Sequence, residues 1–90
     1  MTPPHAEPAR SLSAWLDLVL GELPDGAAVP SAAEQTAILD LARVAAHASE
    51  RIAAPISAYL VGLTLRALPA HERAAALQAL VAHLERQTGA

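Results

Sequence analysis

The stretch from Ile38 to Leu63, ILDLARVAAHASERIAAPISAYLVGL, constrains this chain more than any other. Its first part has one polar face at helical spacing. Its second part is apolar nearly all round. Pro55 is the one proline inside it, and a proline in a helix interior removes a hydrogen bond and clashes with the preceding turn. The stretch is therefore two helices joined near Pro55, which suits the first turn of the second, where a missing N–H costs nothing.

The rest of the chain points the same way. The hydrophobic fraction is 53% while the aromatic fraction is 2%, with no Phe, one Trp and one Tyr. The core must be built from Leu, Val, Ile and Ala, a composition that favours closely packed helices. Strand-forming residues are too scattered for a sheet. Ninety residues make one small domain, which hides only about two-thirds of its unfolded surface.

Four helices follow from the periodicity, at about 12–22, 31–52, 55–67 and 70–87. In the first, Leu12, Trp15, Leu16, Val19, Leu20 and Leu23 fall on one face, with Ser11 or Ser13 as cap. Pro24, Asp25-Gly26 and Pro30 then supply turn chemistry. Ser31 and Glu34 match the S-x-x-E capping box, in which each side chain satisfies a backbone N–H of the first turn. On the second helix Ile38, Leu41, Ala42, Ala45, Ser49 and Ile52 share one side. The third carries stripes of Ile56, Tyr59, Leu60 and Leu63 and of Val61, Leu65 and Leu68, which predict a central position covered by the others. Small residues recur there at Ala54, Ala58 and Gly62, spaced for close helix approach. Leu77, Leu80, Val81 and Leu84 give the inner face of the fourth. The expected fold is an all-α bundle of four helices over residues 11–88, preceded by a disordered tail at 1–10. Tyr59 is expected to pack in its core, and Trp15 either to anchor the first helix there or, if that helix is peripheral, to face a partner.

Several function classes lose support. Net charge is −3, and all six basic residues are Arg, spread along the chain, so there is no basic patch for nucleic acid. The absence of Cys excludes thiolate metal sites and Cys nucleophiles. The four His residues, at 5, 47, 71 and 83, form no H-x-x-x-H pair, so no metal is expected. No G-x-S-x-G and no glycine-rich phosphate loop is present, and no cofactor is expected. The charge-free run from Ile52 to Leu65 falls short of the about 20 residues that cross a bilayer. A cytoplasmic protein is the expectation.

One constellation carries chemistry. With Asp40 as origin on an ideal helix, Arg43 lies near −60°, His47 near −20° and Arg51 near +20°, all estimates at about 100° per residue. Two fork-shaped guanidinium groups suit a phosphate or carboxylate, the imidazole of His47 suits an acid or base role, and Asp40 orients either. The plainer reading is a solvated face, whose i,i+3 and i,i+4 pairs contribute a few tenths of a kcal/mol each.

The central run also resembles a known family. Asp40-Leu41-Ala42-Arg43, Ala46-His47, Arg51, Ala54-Pro55-Ile56, Tyr59-Leu60 and Gly62 follow the pattern D-L-A-R-x-x-A-H, then R-x-x-A-P-[IL]-S-x-Y-L-x-G. That pattern is similar to a family of small helical domains of high-GC bacteria with no assigned function. Its members occur alone or attached to proteins similar to the guanylyltransferase that completes the molybdenum cofactor. The family usually has Arg-Pro where this chain has Arg51-Ile52, so the second helix is expected to continue slightly further here. The resemblance implies an accessory role beside a nucleotidyltransferase and supplies no catalytic residues. Two functions result: a non-enzymatic protein-interaction module, with a protein partner or a second copy as its ligand, or a small anion site on Asp40, Arg43, His47 and Arg51.

Overall fold

The computed structural model describes residues 9–90, so the expected tail lies, apart from Ala9 and Arg10, outside the described residues. The described residues form four helices: α1 (Leu12–Gly21), α2 (Ala32–Ala48), α3 (Ala53–Leu65) and α4 (Ala70–Thr88). The all-α bundle is as expected from the sequence.

The helix starts follow from side chains that satisfy free N–H groups. The Ser11 hydroxyl accepts the Ala14 N–H at 3.2 Å, and Ser31 accepts the Glu34 N–H at 3.2 Å. The other half of the predicted capping box is absent. Glu34 sends its carboxylate to Arg73 on α4, a stronger, charge-assisted partner. Between α1 and α2, Ala27 N–H bonds to Pro24 O, and Gly26 holds φ 95°, a turn conformation that glycine adopts without cost. Gly89, at φ 73°, closes α4 with its N–H on Glu85 O.

The second helix stops earlier than expected. Ser49 leaves helical geometry at φ −132°, ψ −104°, and a tight turn at Arg51 and Ile52 leads into α3, with Ala53 N–H on Glu50 O and Ala54 N–H on Arg51 O. Pro55 explains why no helix runs through Arg51: it has no N–H for the Arg51 carbonyl and its ring would clash with it. α3 instead starts at Ala53, with Pro55 in its first turn.

The core corrects the predicted centre of the molecule. Ala37, Leu41 and Val44 of α2, each about 2% exposed, meet Leu77 and Val81 of α4. Both α3 and α4 pack along α2, and among the described residues no other helix pair packs along its length. α2 is thus the central helix, and α3 has no buried residue. The buried face of α2, on Glu34, Ala37, Leu41 and Val44, is turned toward α4 from the predicted Ile38–Leu41–Ala45 face by about 70° at 100° per residue. Ile38, Val61, Leu65 and Leu84 pack at the margin of this core.

Candidate binding surface

The predicted polar stripe is only partly assembled. Asp40, Arg43 and His47 lie on the exposed face of α2, and Arg51 sits beyond its end in the turn before α3. Arg43 donates to Glu85 of α4 at 3.0 Å, with both side chains a little under half exposed. None of the four residues lines any of the three depressions described below. Among the described residues no three His, Asp or Glu side chains gather as a metal site, and no helix is long and apolar enough to cross a membrane.

A different feature arises because α3 and α4 both lean on α2 without packing along each other. The space between them is a groove floored by α2. One end, a depression of about 450 Å³, is walled by Ile38, Val61, Leu65 and Leu77 and edged by Gly26, Ala28 and Pro30 of the connector. Its polar groups are Glu34, Arg66 and Arg73. The other end, about 280 Å³, is lined by Leu41, Val44, Leu60, Leu80 and Leu84, with Val61 shared between the two.

Glu34 and Arg73 hold that groove's first end in shape. Glu34 is 8% exposed, and its Oε2 accepts from Arg73 Nε at 3.0 Å. Arg73 Nη1 also donates to the Leu68 carbonyl at 3.4 Å, tying the α3–α4 connection to the same pair. The carboxylate also sits in the first turn of α2, where the helix dipole favours negative charge. Nothing in local spacing revealed this pair, whose members are separated by 39 positions. Arg66, on the same edge, has no ion-pair partner among the described residues.

Beside the groove, α3 presents Ile56, Tyr59, Leu60 and Leu63 to solvent, and α1 presents Leu12, Trp15, Leu18 and Val19. Tyr59 is 71% and Trp15 51% exposed, so Tyr59, expected in the core, and Trp15 are both surface residues of the single chain. At the entry of α2, Leu12 and Leu16 of α1 share a depression with Val29 and Gln35. Gly62 has no close neighbour: a Cβ placed there would meet nothing within 4 Å. The helix approach expected along Ala54, Ala58 and Gly62 is missing at Gly62, whereas Ala54 and Ala58 are half-buried.

The sequence model of a family described as "Domain of unknown function (DUF6457)" matches residues 7–90. No curated protein and no solved structure matches the chain.

Proposed function

This chain belongs to the DUF6457 family of domains of unknown function, and we propose that it is a helical protein-interaction module. One observation carries the reading: the most apolar helix of the molecule, α3, buries none of its residues. Each Å² of apolar surface left in water forgoes about 25 cal/mol. Contiguous apolar surface on a small protein marks an interaction site more often than chance exposure. The aromatic pair Trp15 and Tyr59 fits the same reading, because aromatic side chains are enriched where partners meet. The resemblance of the central motif extends it to a partner, a nucleotidyltransferase of molybdenum-cofactor assembly.

Retention experiments with immobilised full-length chain test this. The wild-type chain is expected to retain a partner polypeptide, the guanylyltransferase-like protein among the first to be tried. An Ile56→Glu/Tyr59→Glu variant is expected to lose it while keeping its melting temperature. Retention unchanged in that variant, or no polypeptide retained at all, would overturn the proposal.

A further inference from the structure

The structure holds both halves of a helix-in-groove contact and leaves them apart. Recognition of an amphipathic helix by an apolar groove is read as anchors at i, i+3, i+4 and i+7. α1 has that series in Leu12, Trp15, Leu16 and Val19, and no helix packs along it. The groove between α3 and α4 has accessible apolar walls in Leu60, Val61, Leu80 and Leu84, over the buried Leu41 and Val44 of α2. We propose that this groove receives α1 of a second copy of the chain, giving a two-fold dimer in which each copy supplies one helix and one groove. This rests on the interaction-module reading and names one partner for it.

Dimensions, charge and reach agree. α1 is about 15 Å long and α3 about 20 Å at 1.5 Å per residue, so the helix fits the wall it would lie against. The segment 12–25 carries Asp17, Glu22 and Asp25 and no basic residue, whereas the groove's polar end holds Arg66 without an ion-pair partner among the described residues, beside the paired Glu34 and Arg73. The connector 22–31 spans up to about 33 Å when extended, which lets α1 leave its own chain. An isologous contact is made twice. Each copy of it covers the exposed half of Trp15 together with its leucine neighbours and the groove walls they meet. Stable interfaces bury roughly 1,200 Å² or more, so both helices and both grooves have to be covered for the pair to hold. A helix lying along the groove also provides the neighbour that Gly62 lacks in one chain.

Mixed variants of the full chain test the arrangement. Trp15→Ser removes the anchor from α1, and Ala48→Arg or Ser57→Arg fills the groove. None of these changes touches the buried core, and circular dichroism checks that each variant is folded. By light scattering the wild type is expected to be a dimer at micromolar concentration. Each single variant is expected to dissociate with a constant at least about thirtyfold higher, the scale of an interface hot spot. An equimolar mixture of Trp15→Ser with Ala48→Arg is expected to recover a heterodimer, because one helix–groove contact remains whole. A wild-type dimer that survives both substitutions, or a mixture that recovers nothing, overturns the proposal. So does a wild-type monomer, whether its Trp15 fluorescence is shielded (α1 in its own groove) or open to quenching. In that monomer case the interaction-module reading still stands or falls on the Ile56→Glu/Tyr59→Glu retention experiment.

Discussion

The α2–α4 seam and the α3 surface are built from similar residues and meet opposite fates. α4 mixes charged and apolar residues, yet its Leu77 and Val81 are buried. α3 is apolar almost throughout and buries nothing completely. The difference lies in period. The apolar residues of α4 line up against a matching row on α2, Ala37, Leu41 and Val44, and interlock with it. Those of α3 surround the whole helix, so one neighbour can cover only a fraction of them. Composition sets how much a helix has to bury, and phase sets how much one neighbour lets it bury.

Substitutions can break or sharpen this contrast. The largest effect is expected for Leu41→Ala, which empties the centre of the seam. It should cost about 2–5 kcal/mol, enough to unfold much of a domain this small, as read by urea or thermal denaturation. Next is Glu34→Gln, which leaves the Arg73 guanidinium part-buried opposite a neutral group and should cost about 1–3 kcal/mol. A seam that tolerates either change without loss would remove the contrast.

On the α3 side the expected signs differ. Gly62→Ala should stabilise the isolated chain by about 0.5–1 kcal/mol, since alanine is the better helix former and its Cβ meets nothing. The same change should weaken association, which sharpens the distinction between free chain and complex. The smallest effect is expected for Tyr59→Ser, within about 0.5 kcal/mol in the melting of dilute protein, because an exposed side chain has little native contact to lose.

What the sequence revealed and what it hid divide along the same line. The Ser31 cap, the turn at Asp25-Gly26, the first-turn Pro55 and the inner face of α4 were legible because each depends on neighbours within a turn or two. The central position assigned to α3 was wrong because apolar character shows a need for cover and not its supply. A four-helix chain has three helices to give, and α1 packs along none of the others. The Glu34–Arg73 pair was hidden since only the folding of α4 onto α2 brings those side chains together. The stripe through Asp40, Arg43, His47 and Arg51 assumed unbroken helix, whereas Ser49 ends α2 before Arg51 is reached.

Amide hydrogen exchange on the chain at high dilution tests the central claim most directly, that α2 and α4 form the buried seam and a helix outside it lacks cover. Amides around Leu41, Val44, Leu77 and Val81 are expected to exchange only through global unfolding, while those of α1 exchange orders of magnitude faster through local opening. α1 amides as well protected as those of α2 in the dilute chain would contradict the account.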